Sequence, residues 1–171
     1  MKKFHLRQLT LAGAVASLYA TLTWAFGGLA YGPIQIRPSE ALTVLPLLFV
    51  EAIPGLYAGC MLANIISLYG IYDIIFGSLI TLAAAILTKL LKKLPFGIIP
   101  PIILNAVFLP FIFMLGGDET LYWINFLSIL ITQSIWVIAL GVPLYFSAKR
   151  LKPLIYKDLK NSSKHNKNSE E

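Results

Sequence analysis

Charge is confined to a few places in this sequence, and that confinement limits its fold more than any other feature. Between Leu9 and Ala148 the only basic residues are Arg37 and the cluster Lys89, Lys92 and Lys93; every other Lys or Arg lies in one of the two ends. The stretches between are apolar runs long enough to cross a bilayer, at about 20 residues per helix. With 57% hydrophobic and 13% charged residues, polar surface is too scarce to cover a water-exposed globule. The expected class is an all-α integral membrane protein. Its 171 residues hold one compact bundle of about five or six spans and no soluble catalytic domain. The net charge of +6 does not point to nucleic acid, because it sits at the ends of hydrophobic segments.

The run from Leu9 to Ala30 follows a short basic start, Lys2, Lys3 and Arg7. It is longer than the core of a signal peptide and reads as a retained first helix. Within it Ala12, Ala16 and Ala20 recur every fourth residue beside Gly13 and Ser17, giving one nearly flat face. Such a face allows close helix approach, either inside this bundle or as a docking surface for a separate membrane subunit. The first loop, Tyr31 to Ser39, carries the helix breakers Gly32, Pro33 and Pro38. Ser39 is the expected N-cap of a helix starting at Glu40.

The segment from Glu40 to Tyr69 is either one long span kinked at Pro46 and Pro54 or two short elements meeting near Glu51. Parity decides. Asp73 to Leu91 is one span ending at Lys89, Lys92 and Lys93. With two elements before it, that cluster lies on the same side as the basic N-terminus, as the positive-inside rule requires. Spans over Ile98 to Leu115 and Leu121 to Ala148 then complete six elements and return the basic tail to that side. Thirteen of 14 basic residues become cytoplasmic, as do both termini, in a multi-pass protein of the cell membrane. Trp24, Tyr31, Tyr69, Tyr72, Tyr122 and Trp123 fall near the outer boundary, where aromatic belts are favoured. Residues 1–151 form the membrane domain, and 152–171, polar and lysine-rich, form a tail expected to be disordered.

Catalytic signatures do not emerge. Cys60 is the sole cysteine, and His5 and His165 sit in the polar ends, so no metal or cofactor site is expected. No G-x-x-x-x-G-K-[ST] or G-x-S-x-G motif occurs, so the chain reads as a non-enzyme. The membrane region offers hydrogen-bonding groups instead: Arg37 and Glu40, three apart, then Asn64, Asp73 and Asn105. In the last helix Asn125, Ser128, Thr132 and Trp136 lie on one stripe, with Gln133 on its flank. A carboxylate near the bilayer centre costs roughly 2.5 to 3.5 kcal/mol on insertion scales, so it usually faces a cavity or partner. One carboxylate, several amides and several aromatics at one end of a small bundle describe a pocket for a flat polar ring. Asn64 and Asn105 also suit plain helix-to-helix hydrogen bonding.

The runs IQIRPSEALTVLP, IPGLYAGCMLAN and YDIIFGSLITLAAAILTKL resemble the QueT family of membrane-embedded substrate-binding (S) subunits of energy-coupling-factor (ECF) transporters. The similarity extends from about Leu9 to Leu151, with Pro38 standing where an aliphatic residue is expected. It implies a six-helix S-component bundle with a short second helix and both termini cytoplasmic. The implied ligand is a queuosine precursor, a 7-deazaguanine such as queuine or its aminomethyl precursor, taken from outside. A membrane scaffold subunit and two cytoplasmic ATPases would drive import. Glu40 would accept the N–H edge of the ring, with Asn64, Asn105 or Gln133 adding bonds. Asp73 would face an aminomethyl cation, Trp123 or Trp136 would stack on the ring, and Arg37 would pair with Glu40 or order the loop. The alanine face, Ala12 and Ala16 first, would meet the scaffold. Alternatives left open are an S subunit for another vitamin, an ion-coupled secondary carrier using Glu51, and a purely structural membrane subunit.

Overall fold

A computed structural model describes residues 6–32 and 34–167; the side chains of Arg7 and of residues 156–167 fall outside that description. Among the described residues the chain is all helical, with six main elements. Helix α1 is Leu6–Ala25, α2 is Pro38–Leu47 and α3 is Ala52–Asn64. Helix α4 is Gly70–Leu91 and α5 is Leu94–Leu115. Helix α6 begins at Tyr122–Ile135, passes through Trp136–Gly141 and continues as Val142–Lys167. Gly70–Leu91, Leu94–Leu115 and Tyr122–Ile155 are long and apolar enough to cross a membrane.

The segment between the first loop and α4 is two short elements, as the charge parity requires. Helix α2 is a 3₁₀ helix whose residues from Pro38 to Pro46 are all buried. At about 2.0 Å per residue its ten residues reach only about 20 Å, well short of a bilayer core of about 30 Å. It touches all five other helices, so it is the axis around which the bundle is built. Ser39 does not cap it: Arg37 holds the N-cap position without a side-chain bond, and the Ser39 hydroxyl instead meets Thr23 Oγ1 of α1 at 2.7 Å. A buried hydroxyl reached a buried hydroxyl first, and Pro38 already supplies a helix start that lacks an N–H.

Small residues set how closely the helices approach. A Cβ on Gly55 would come within 2.6 Å of the Ala12 carbonyl oxygen, and one on Gly59 within 2.8 Å of that of Ala16. Ala12, Ala16 and Ala20 are all buried, the first two in this α1–α3 contact. The alanine face is thus packed within the chain. On α6, Gly141 also comes close to α2, where a Cβ would lie 3.0 Å from Val44 Cγ1.

Between α4 and α5 the chain turns on Lys92, which takes a left-handed backbone (φ 59°), and Pro95 opens the next helix. Thr88 Oγ1 donates to the Gly97 carbonyl at 2.9 Å, tying the two helix ends together. After Leu151 the expected disordered tail instead continues the helix to Lys167, since extending an existing helix adds a backbone bond for each residue fixed. Residues 168–171 lie outside the described residues. The outward faces are apolar, with Leu18, Phe108, Phe111 and Ile131 exposed. The polar residues Arg37, Glu40, Asn64, Asp73, Asn105 and Gln133 are buried. An apolar exterior around buried polar groups is the arrangement a helical membrane protein requires.

Candidate functional site

Glu40, one turn into α2 and 2% exposed, is where the helices converge chemically. Its Oε1 accepts the Tyr19 hydroxyl of α1 at 2.5 Å. Its Oε2 accepts Gln133 Nε2 of α6 at 2.7 Å and Asn105 Nδ2 of α5 at 3.4 Å. Arg37 forms the counter-charge, its Nε 3.8 Å from Oε1. A buried carboxylate costs several kcal/mol unless paired and hydrogen-bonded, and here donors from three other helices supply the compensation.

The Arg37 guanidinium extends the network toward α3 and α4. Its Nη2 donates to the Tyr19 hydroxyl at 3.2 Å and to Asn64 Oδ1 at 3.2 Å, and lies 3.9 Å from Cys60 Sγ. Two aromatic rings flank it, Tyr19 at 5.9 Å and Tyr31 at 5.8 Å from their centroids, distances at which the ring quadrupole attracts a cation. Tyr31 is anchored by its hydroxyl to the Ala63 carbonyl. The Arg37 Nε itself has no hydrogen-bond acceptor.

Asn64 links this cluster to Asp73. Its Nδ2 donates to the Asp73 carbonyl oxygen at 2.9 Å. Asp73 opens a π-helical stretch, Asp73–Gly77, whose extra residue per turn rotates the carboxylate inward; such bulges recur at functional sites. Its Oδ2 accepts Ser67 Oγ at 2.6 Å, whereas Oδ1 has no partner. Gly77 is needed here, because a Cβ at that position would lie 2.3 Å from Asp73 Oδ1.

Of the residues predicted from sequence, Arg37, Glu40, Asn64, Asn105 and Gln133 are thus brought together, with Asp73 next to them. Trp123 is not: it is 69% exposed, packed edge-on to Tyr122 and Phe126. Trp136, half-buried, follows Gln133 by one turn and starts the π-helical stretch of α6. The inward stripe of that helix is Asn125, Ile129, Gln133 and Val137, rotated from the one expected. Thr132 turns its hydroxyl onto its own helix at Ser128. Glu51 lies beyond the other end of α2, buried and bonded to Gln8 Nε2 at 3.0 Å.

Tyr19 and Tyr31 were not among the predicted site residues. The available signal for Tyr19 was its place on the alanine face, where a buried phenol needs a partner. Tyr31 suits the interfacial belt by its position in the sequence, yet it is 1% exposed. An apolar groove of about 400 Å³ between α4 and α5, lined by Phe76, Leu79, Leu104, Phe108 and Phe111 among others, contains none of these polar groups. Every residue that lines it is apolar.

Residues 9–150 match the family described as QueT transporter. Over 84 residues the chain is 37% identical to the queuosine precursor transporter QueT of Lactococcus lactis subsp. cremoris (strain MG1363), covering 48% of this chain and 49% of that protein. The chain thus spans about half the length of the curated relative it matches. No solved structure matches it.

Proposed function

The chain belongs to the QueT transporter family, and from that premise we propose that it is a substrate-capture subunit that binds a 7-deazaguanine, such as queuine or its aminomethyl precursor, from outside. The observation that carries this reading is Glu40, a buried carboxylate served by donors from α1, α5 and α6. A carboxylate accepts two N–H groups side by side, and the N1–H and 2-amino groups of a guanine-type ring present that pair. Asn64, Asn105 and Gln133 add amide contacts, and the Tyr19 and Tyr31 rings form walls for a planar ring. Asp73, whose Oδ1 has no partner, would receive a cationic aminomethyl substituent. A site of this kind discriminates by roughly 10⁴ to 10⁵ against analogues lacking its partner donors, because its own buried groups are left unpaired.

In this reading the protein is a multi-pass protein of the cell membrane, with both termini cytoplasmic on the positive-inside argument. Without a phosphate-binding loop of its own, it delivers its ligand through an ECF scaffold subunit and two cytoplasmic ATPases. The test is binding by the detergent-purified chain alone to queuine and its aminomethyl and cyano precursors, with guanine and riboflavin as controls. Saturable binding of a deazaguanine supports capture; absence of binding to all of them removes the substrate assignment. A second reading, an ion-coupled carrier, draws on the buried Glu51. Uptake abolished by an ionophore while ATP is intact would favour it.

A further inference from the structure

We propose that the ligand takes its place on Glu40 by displacing the Arg37 guanidinium, which makes Arg37 a built-in competitor for the site; this rests on the capture reading above. A carboxylate offers about four lone-pair positions. Three receive real hydrogen bonds, from Tyr19 at 2.5 Å, Gln133 at 2.7 Å and Asn105 at 3.4 Å. The fourth partner, Arg37 Nε, stands at 3.8 Å, makes no hydrogen bond and is left without any acceptor. It is the weakest of the four, and the long Asn105 contact on Oε2 is the next. A ligand with two N–H donors thus takes the Arg37 position on Oε1 and the Asn105 position on Oε2.

The group that Arg37 places there has the chemistry of the incoming one. A guanidinium is planar, with N–H donors arranged about one carbon, and the N1–H and 2-amino edge of a guanine-type ring has the same N–C–N donor pattern. The surroundings fit both: two tyrosine rings with centroids at 5.8 and 5.9 Å and the Asn64 carbonyl oxygen at 3.2 Å. Arg37 leaves by a side-chain movement. It sits at the N-cap of α2 with a non-helical backbone (φ −122°, ψ 79°), and its carbonyl keeps the Glu40 N–H at 3.0 Å while its guanidinium gives up Tyr19 and Asn64. The same loop holds Gln35, whose buried Nε2 has no partner either. An internal occupant reduces apparent affinity by the fraction of protein in which it must first be moved, and removing it restores that fraction.

The sign of two measurements separates this from a role in which Arg37 grips the ligand. In wild-type protein carrying nitrogen-15 arginine, saturating 7-aminomethyl-7-deazaguanine should speed solvent exchange of the Arg37 Nε–H by about fivefold or more, as a buried group becomes accessible. Slower or unchanged exchange in protein that binds the probe overturns the proposal and leaves the capture reading standing. No binding of the probe or its queuine and cyano relatives removes both. Arg37→Met should bind the probe about three- to tenfold more tightly than wild type, and millimolar guanidinium should weaken binding to this variant only. A folded Arg37→Met protein whose affinity is unchanged or lower also overturns it.

Discussion

Two carboxylates in this molecule are served by almost the same donors and sit in opposite settings. Glu40 takes a tyrosine hydroxyl and two side-chain amides. Asp118, in the turn between α5 and α6, takes the Tyr69 hydroxyl at 3.2 Å, Asn125 Nδ2 at 3.2 Å and the Thr120 backbone N–H at 2.8 Å. The Asp118 partners hold one loop onto the end of the bundle, where Tyr69 stacks on Phe113 at 4.0 Å. Burial raises the Asp118 pKa, but its hydrogen bonds outweigh this and hold it below the usual carboxylate range. Burial, and then the Asp118 charge, push Tyr69 well up, so a neutral phenol donates to an ionised carboxylate. Glu40 differs in being deeply buried and in sharing its fourth position with a cation on a loop. The two share donor chemistry; burial and the neighbouring Arg37 cation are what set Glu40 apart.

That contrast breaks most visibly at Glu40 itself. Glu40→Gln keeps the shape and removes the charge, and charge-assisted hydrogen bonds are worth about 1.5–3 kcal/mol each, so deazaguanine affinity should fall by roughly 10- to 150-fold in a binding titration. Tyr19→Phe removes only the hydroxyl between Glu40 and Arg37, and a loss of about tenfold is expected in the same assay. Gly59→Ala tests the framework beneath Tyr19. Its Cβ would lie 2.8 Å from the Ala16 carbonyl oxygen and 2.9 Å from Tyr19 Cβ, and overpacking of about 1–3 kcal/mol should appear as a lower thermal midpoint.

Asp118→Asn should have the smallest effect, a stability loss within about 1 kcal/mol and unchanged ligand affinity. Because the Asp118 pKa is lowered on folding, its contribution is complete above the unfolded carboxylate value of about 3.9 and fades as pH falls through the lower folded value. Thermal midpoints measured across that acid range should therefore drop more steeply for wild type than for Asp118→Asn. An Asp118→Asn protein that lost ligand affinity as Glu40→Gln does would erase the distinction between the two regions.

Much of the site was legible because its residues are expensive where they lie. Glu40, Asn105 and Gln133 stand out in apolar helices, and the positive-inside parity required two elements between the first loop and α4. The tyrosines were not legible in the same way. A phenol at the end of an apolar run suits a lipid interface as well as a buried bond, so Tyr31 and Tyr69 read as belt residues although both are buried. Ser39 was read by local capping rules, yet its partner is Thr23, on another helix. The inward stripe of α6 follows a four-residue spacing from Asn125 through Ile129 and Gln133 to Val137, which moved Ser128 and Thr132 off the inner face. The 3₁₀ form of α2 left no mark in the sequence, where the run reads as an ordinary short helix.

The central claim is that Glu40 reads the N–H edge of a guanine-type ring, and the most direct measurement is a paired titration of wild-type protein with 7-deazaguanine and 7-deazahypoxanthine, which differ by the 2-amino group alone. The reading predicts binding of the first and a loss of at least about a hundredfold for the second, because the buried carboxylate would lack a donor. Equal affinity for the two would contradict it.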